Sequence, residues 1–272
     1  MWTKELEIAK LAAIYAGEAI MKIYNTADFQ VEYKKDDSPL TAADKASNAI
    51  IVKLLSEAFP EYAILSEEEK DNLSRLKKDF CFVVDPLDGT KEFIKRNGQF
   101  TVNIALSHKH EAVVGVIYVP VTRELYWASQ GDGAYRVRVD VERDLWSSTI
   151  MEGSGAEKLQ VSNNIDTSAL RVVMSSSHGC AQMDDLLEKY HFTNYVKRGS
   201  SLKGCMVASG EADIYYRFNP TMEWDTAAMQ CIVEEAGGIF RQMDGSLMRY
   251  NRENSLNEKG FYIINQIENL LI

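Results

Sequence analysis

The run Asp85-Pro86-Leu87-Asp88-Gly89-Thr90 contains the residues with the clearest chemical potential in this chain. Its two carboxylates follow a short apolar stretch and stand three residues apart across a turn that contains proline. Carboxylate oxygens suit Mg²⁺, which prefers oxygen ligands and shares its shell with substrate phosphate. Gly89 allows close backbone approach, and N–H groups at a following helix start can receive an anion. A turn capped by aspartate is the structural alternative.

Three further segments place acidic residues beside apolar ones. Ser66-Glu67-Glu68-Glu69 follows apolar residues 62–65 and can complete a metal shell, although a run of glutamates is usually a solvated face. Thr41 and Asp44 have the spacing of a helix capping box. Asp225, within Trp224-Asp225-Thr226-Ala227-Ala228, is either an N-cap residue or a metal ligand. The local sequence leaves these alternatives open.

The first half of the chain is predicted to position these residues on two helices and an antiparallel meander. Apolar residues at helical spacing predict helices over residues 4–24 and 42–59. Short apolar runs bounded by turns predict strands over residues 80–84, 101–106, 112–119, 124–128 and 133–137.

The second half alternates strands with helices, which indicates a layered sheet covered by helices. Strands are predicted over residues 171–174, 194–197, 213–217 and 239–241, and helices over residues 181–190, 201–209 and 226–236. The charged, serine-rich stretch 139–157 between the halves predicts a junction. We therefore expect an α+β domain (1–150) and an α/β domain (151–272), with an antiparallel sheet in the first, a mixed sheet in the second and a cleft between them.

Composition narrows the class of function. A formal net charge of -10 disfavours binding to a nucleic-acid polymer, which relies on a basic surface. The four cysteines are far apart and are predicted to be reduced core residues, and no HExxH zinc motif is present. Charged residues interrupt the first twenty positions, so neither a signal peptide nor a transmembrane segment is expected. We predict a cytoplasmic protein and leave peripheral contact with the inner membrane open.

Taken together, these motifs resemble the inositol monophosphatase superfamily, whose pattern is a Glu-Glu pair, then DPxDGT, then a distant WDxAA. The likeness covers nearly the whole chain and includes the upstream run DSPLTAAD at 37–44. Within the superfamily the chain is most similar to CysQ-type 3'(2'),5'-bisphosphate nucleotidases, through DPLDGTKEFIKRNGQFTVNIAL, GSSLK and YYRFNPTMEWDTAA. Ser66 departs from the glycine that many members have before the Glu-Glu pair.

The resemblance implies a role for each matching residue. The metal ligands would be Glu67, Asp85, Asp88, Asp225 and the Leu87 carbonyl. Asp44 and Thr90 would orient and deprotonate the attacking water. The substrate contacts would come from Leu87, Asp88, Gly89, Thr90, Ser201, Lys203, Arg217 and Asp225. Arg217 stands where inositol-specific relatives tend to have an acidic residue, and its planar fork of donors suits a second phosphate; a surface arginine is the structural alternative.

The implied protein is an enzyme with a layered sugar-phosphatase fold and roughly two or three Mg²⁺ ions. Its expected reaction is hydrolysis of adenosine 3',5'-bisphosphate to AMP and phosphate, with the sulfated analogue PAPS as a further substrate, a role in sulfate assimilation, and inhibition by Li⁺. An inositol or sugar-phosphate monophosphatase and a catalytically inactive nucleotide-binding protein are the alternatives. Whether the chain is a monomer or a homodimer is left open.

Overall fold

A computed structural model of the chain describes residues 1–26, 32–33, 39–140, 155–177 and 179–272. Its helices are α1 (Thr3–Tyr24), α2 (Ala42–Ala58), α3 (Thr90–Ile94), α4 (Ala181–Lys189), α5 (Leu202–Ala208) and α6 (Glu223–Glu235). Most of the predicted junction between the halves, including the boundary at residue 150, lies outside the described residues, as does the start of the DSPLTAAD run.

The strands belong to two large sheets and two short ribbons. They are β1 (Glu32–Tyr33), β2 (Pro39–Leu40), β3 (Ala63–Ser66), β4 (Phe80–Asp88), β5 (Thr101–His108), β6 (Glu111–Val119), β7 (Glu124–Ser129), β8 (Gly133–Arg138), β9 (Glu157–Lys158), β10 (Val172–Ser175), β11 (Tyr195–Arg198), β12 (Ile214–Arg217), β13 (Thr221–Met222), β14 (Ile239–Gln242), β15 (Leu256–Asn257) and β16 (Phe261–Ile264). The ribbons pair β1 with β2 and β13 with β15.

The first sheet has seven strands in the order β3-β4-β5-β6-β7-β8-β9. The antiparallel meander from β4 to β8 is confirmed, and β3 joins it parallel to β4. Successive side chains of a strand point to opposite faces. Phe82 and Val84 belong to the core that also contains residues of α1 and α2, while Cys81 and Val83 belong to the core on the other face. Both faces of this sheet are therefore buried.

The second sheet has the order β11-β10-β12-β16-β14. The first three strands are parallel, and β16 pairs antiparallel with both β12 and β14. The predicted mixed sheet is confirmed, but β16 was not predicted, although its aromatic and β-branched run Phe261-Tyr262-Ile263-Ile264 is typical of a strand. This strand packs Phe261 and Ile263 into the core between the two sheets.

Helices and sheets alternate in five layers, with α1 and α2 outermost, then the first sheet, then α5 and α6, then the second sheet, then α4. Three hydrophobic clusters fill the spaces between these layers. The middle cluster takes residues from both halves of the chain, such as Val83 and Ala105 from the first sheet and Val173 and Ile263 from the second. The predicted layered α+β architecture is thus correct.

Two predicted boundaries were wrong, and both lie at chemically important residues. Strand β4 does not end at residue 84 but continues to Asp88 through an irregularity, with Asp85 opposite Asn103 and Asp88 opposite Thr101. Pro86 lies in the bulged segment, where its missing N–H leaves no ladder bond unmade. Helix α6 begins at Glu223 and not at residue 226, so Asp225 occupies the first turn and is not the N-cap residue.

All four thiols are free, and the prediction of core residues is confirmed for Cys81, Cys205 and Cys231, which are buried; it was wrong for Cys180, which is partly exposed. Within the described part of the chain, none of the helices combines the length and apolar character needed to cross a bilayer. The cytoplasmic location and the peripheral membrane contact stay predictions.

Candidate active site

Three carboxylates from the two halves of the chain converge in one cleft. Asp85 and Asp88 come from the bulged end of β4, and Asp225 comes from the first turn of α6. One oxygen atom from each lies within 4.8 Å of the others. Asp85 is 2% exposed, so it forms the floor of the group, while the other two are only partly buried. Residues 140 positions apart in sequence therefore make one acidic site.

Electrostatics indicate that this group favours a bound cation. Burial raises the pKa of the Asp85 carboxyl well above its usual range, and the charges of Glu67, Asp88, Asp225 and Asp44 raise it further. Burial also raises the pKa of Asp225, and Asp88 adds to the effect. Ionised carboxylates that are desolvated and crowded together repel one another unless a cation balances them. An all-oxygen donor set of this charge fits Mg²⁺.

Glu67 and Leu87 line the cavity beside this group. Glu67 follows β3, and its N–H donates to the Val84 carbonyl at 3.1 Å, which holds the residue against β4. Both Glu67 and Leu87 line the same cavity as the three aspartates, although Glu67 is not among the three carboxylates that meet within 4.8 Å. The Leu87 N–H donates to Asp85 Oδ1 at 3.1 Å, so the bulge also orients the buried carboxylate.

Asp44 serves both as a helix cap and as a partner of Thr90. Its Oδ2 accepts hydrogen bonds from the N–H and hydroxyl of Thr41 at 2.7 and 2.6 Å, and the Thr41 hydroxyl accepts from the Ala43 N–H, which completes a capping box. Its Oδ1 accepts from the Thr90 hydroxyl at 3.2 Å. The two alternatives drawn from the sequence are compatible, because each uses a different oxygen.

Gly89 joins β4 to the five-residue helix α3 in a left-handed conformation, with φ of 93°. A side chain at this position would be strained in that conformation. Its Cβ would also come within 3.2 Å of the Gln99 carbonyl and 3.3 Å of Ser200. Glycine is therefore required here both for the turn and for the close contact between the two halves.

Three of the residues expected to contact substrate, all from the second half of the chain, lie in different surroundings, although all line a cavity of about 370 Å³. Ser201 donates to Asp88 Oδ2 at 2.9 Å. The Lys203 ammonium is buried, donates to the Ser200 carbonyl and lies 5.4 Å from the Tyr215 ring centre; burial lowers its pKa to about 8. Arg217 ends β12 and has a buried Nε with no hydrogen-bond partner.

A buried polar network also fixes the start of α6, and sequence reasoning missed it. The Glu223 carboxylate is fully buried and accepts from the backbone N–H groups of Asn251 and Arg252 at 2.6 and 3.0 Å. The Asn251 side chain accepts in turn from Arg75 at 2.9 Å, which comes from the other half of the chain. These bonds hold the helix turn that carries Asp225 against the first sheet. Single polar residues spread over 176 positions gave no local signal.

Asn103 and Ser200 are further residues near the carboxylates that sequence reasoning did not identify. Asn103 is 1% exposed in β5 and donates to Asp88 Oδ2 at 3.3 Å. Ser200 donates to the same oxygen at 2.6 Å from a left-handed backbone conformation, with φ of 52°. The only available signal was an asparagine within the otherwise apolar strand Val102-Asn103-Ile104, since buried polar side chains need partners.

The layered fold and the carboxylate cleft agree with the family comparison. The chain belongs to the inositol monophosphatase family, whose model matches residues 1–269. Among curated relatives, it is 39% identical over 252 residues to the 3'(2'),5'-bisphosphate nucleotidase CysQ of Salmonella typhimurium, covering 91% of this chain and 94% of the relative.

Two further relatives have sequence identities slightly above and below this value. The crystal structure of CysQ from Bacteroides thetaiotaomicron superposes with a TM-score of 0.85 at 40% identity, covering 98% of this chain and 99% of that one. The Nus factor SuhB of Escherichia coli is 33% identical over 246 residues, covering 88% of this chain and 85% of its own length. Relatives in this identity range thus include both a nucleotidase and a protein named for another role.

Proposed function

We propose that this protein is a Mg²⁺-dependent 3'(2'),5'-bisphosphate nucleotidase that releases phosphate from adenosine 3',5'-bisphosphate and leaves AMP. The observation that carries the proposal is that Asp85, Asp88 and Asp225 line the same cavity as the cationic residue Arg217. The likeness to CysQ proteins along nearly the full length supports the nucleotide substrate. PAPS, with the same arrangement of two phosphate groups, is the expected second substrate.

Metal binding is assigned to the acidic group. Asp85, Asp88, Asp225 and Glu67, with the Leu87 carbonyl, would hold roughly two or three Mg²⁺ ions; when bound, these ions make water more acidic and stabilise the leaving oxygen of an in-line displacement. An acidic protein with net charge -10 would otherwise repel a phosphorylated substrate. Burial raises the pKa of Asp85 and four neighbouring carboxylates raise it further, so negative charge is concentrated at this group.

Asp44 and Thr90 are assigned to the attacking water. The Thr90 hydroxyl gives its hydrogen to Asp44 Oδ1 at 3.2 Å, so the lone pairs of Thr90 Oγ1 are left to accept a hydrogen bond from water. When the water gives a proton to Thr90 Oγ1, Thr90 passes its own hydrogen to Asp44 Oδ1. Thr41 holds Asp44 in place through the other carboxylate oxygen. The N–H groups of Gly89 and Thr90 are proposed to hold the phosphate that is cleaved.

Arg217 is proposed to bind the phosphate that is not cleaved. Its Nε is buried and has no hydrogen-bond partner, which is costly unless a ligand supplies one. Burial and Asp88 raise the pKa of Asp225, and the positive charge of Arg217 offsets a small part of that rise, so the guanidinium lies near the acidic group. A guanidinium binds phosphate through parallel N–H donors. This position would distinguish a bisphosphate from a monophosphate.

Replacing Arg217 by glutamine tests this assignment without adding a negative charge to the acidic group. We expect kcat/KM for adenosine 3',5'-bisphosphate to fall by about tenfold to hundredfold, since hydrogen bonds to charged groups contribute about 1.5–3 kcal/mol. The same kcat/KM for adenosine 3'-monophosphate, measured at saturating Mg²⁺, should change less than about threefold, because that substrate lacks the 5'-phosphate. Equal losses on both substrates would show that Arg217 acts on the carboxylates instead.

The function as a whole is tested by phosphate release from adenosine 3',5'-bisphosphate, inositol 1-phosphate and fructose 1,6-bisphosphate in parallel. We expect the nucleotide to be hydrolysed best, activity to disappear with EDTA and return with Mg²⁺, and Li⁺ to inhibit. Preference for inositol 1-phosphate would identify an inositol monophosphatase. No hydrolysis of any substrate, with nucleotide binding retained, would identify an inactive binding protein; the complete carboxylate group weighs against that outcome.

A further inference from the structure

One oxygen of Asp88 is surrounded by hydrogen-bond donors from both halves of the chain. Asp88 Oδ2 accepts from Ser200 Oγ at 2.6 Å, from Ser201 Oγ at 2.9 Å and from Asn103 Nδ2 at 3.3 Å. A carboxylate oxygen has about two lone-pair positions, so these donors saturate Oδ2. Only Oδ1 of Asp88 is then left for a cation.

These donors are themselves held in place by neighbouring side chains. Asn103 Oδ1 accepts from the Thr101 hydroxyl at 2.8 Å, which directs the Asn103 amide hydrogens towards Asp88 and Ser201. Asn103 Nδ2 also donates to Ser201 Oγ at 2.9 Å, so the single Ser201 hydrogen is directed to Asp88. The hydroxyl oxygens of Thr101 and Ser200 also lie 2.6 Å apart. Because Thr101 gives its hydrogen to Asn103, Ser200 is the donor in this contact and its hydrogen is shared between Thr101 and Asp88.

Ser201 also lies between the two segments that carry Asp88 and Asp225. Its hydroxyl lies 3.4 Å from the Asp225 carbonyl in α6 as well as 2.9 Å from the Asp88 carboxylate. Ser201 is 2% exposed and Asn103 is 1% exposed. Two side chains so deeply buried behind a carboxylate are placed to orient it, and the hydroxyl that a substrate contact would need is already engaged.

We propose that Asn103 and Ser201 are positioning residues that turn Asp88 Oδ1 towards the metal position and so set the affinity for Mg²⁺. The inference rests on the proposed role of Asp88 as a metal ligand. Hydrogen-bonded partners that orient a ligand typically change metal affinity by about 10–100-fold when removed. The same inference assigns Ser201 a different role from the substrate contact expected from the sequence.

The test measures Mg²⁺ binding by isothermal titration calorimetry on the substrate-free protein. Ser201→Ala removes only a hydroxyl, and Asn103→Ala removes the amide behind it. We expect the Mg²⁺ dissociation constant to rise about tenfold for Ser201→Ala and up to about hundredfold for Asn103→Ala. At saturating Mg²⁺, KM for adenosine 3',5'-bisphosphate should stay within about twofold of wild type.

Two variants at residues that do not line the cleft serve as matched controls. Ser129 is also a buried serine that donates to a carboxylate, Asp132, at 2.6 Å. Asn265 is 1% exposed and donates to the Ser162 and Asn164 carbonyls. Ser129→Ala and Asn265→Ala should lose comparable stability in thermal unfolding without a change in Mg²⁺ affinity.

Several outcomes would overturn the inference. Unchanged Mg²⁺ affinity together with a raised KM for substrate in Ser201→Ala would show that Ser201 contacts substrate. An equal loss of Mg²⁺ affinity in the control variants would show a general effect of destabilisation. A wild-type protein that binds no Mg²⁺ would overturn the proposed metal function itself, which the wild-type titration detects before any variant is compared.

Discussion

Asp88→Asn is expected to abolish phosphate release, by on the order of a thousandfold or more, while leaving the fold intact. The change keeps the shape of the side chain but removes a charge from the group formed with Asp85 and Asp225. Metal ions supply several kcal/mol of transition-state stabilisation in such reactions, and each 1.36 kcal/mol corresponds to a factor of ten in rate. Single-turnover phosphate release with Mg²⁺ at several concentrations measures the loss.

Unfolding temperature distinguishes loss of metal from loss of structure in the same variant. Burial and neighbouring carboxylates hold the pKa values of Asp85 and Asp225 above their ordinary range. Ionising these groups therefore costs stability, and the cost grows as pH rises from about 4 towards the folded pKa values. The Asp88 charge adds to this cost, and Asp88→Asn removes it. The metal-free variant should therefore unfold at the same or a higher temperature than metal-free wild type at neutral pH.

Magnesium should reverse that order. An ion present at 100 times its dissociation constant stabilises a protein by about 2.7 kcal/mol, and Asp88→Asn should lose most of this gain. Asp132→Asn, in a turn that does not line the cleft, is the control and should keep both activity and the Mg²⁺-dependent shift. Full activity in Asp88→Asn, or an unchanged shift with Mg²⁺, would contradict the metal assignment.

Asp44→Asn is expected to lower kcat by about 10²–10⁴, the range that a positioned general base contributes. The amide cannot take a proton from Thr90, whose hydroxyl lies 3.2 Å from Asp44 Oδ1. Mg²⁺ affinity should change much less than in Asp88→Asn, because Asp44 lies outside the group of three carboxylates. Rates at saturating Mg²⁺, with Mg²⁺ binding measured separately, test this combination.

The cap role of Asp44 needs its own control. Thr41→Ala breaks the same capping box, which costs about 0.5–2 kcal/mol of stability, but leaves the Asp44 carboxylate in place. If the helix cap were the only role of Asp44, both variants would lose similar stability and similar activity. We expect Thr41→Ala to lose stability with a much smaller effect on kcat.

Local patterns in the sequence were sufficient where a signal is carried by neighbouring residues. The helical spacing of residues 4–24 and the apolar strands around Ile104 predicted α1 and the meander, because buried faces impose their period on the sequence. The carboxylates and the glycine of the Asp85–Thr90 run indicated metal chemistry because these residues are also neighbours in the sequence. The ends of the elements were predicted less accurately than their presence. Strand β4, for example, continues through Pro86 because a bulge accommodates the proline.

The sequence by itself determined the residue types of the acidic site, the layered class of the fold and the membership of a family. Only the tertiary structure decided that Asp225 meets Asp85 and Asp88, that Asp44 uses separate oxygens for its cap and for Thr90, and that Asn103 lies behind Asp88. The reason is physical: these contacts join residues far apart in the chain, and their geometry depends on how two sheets and α6 pack around one shared core.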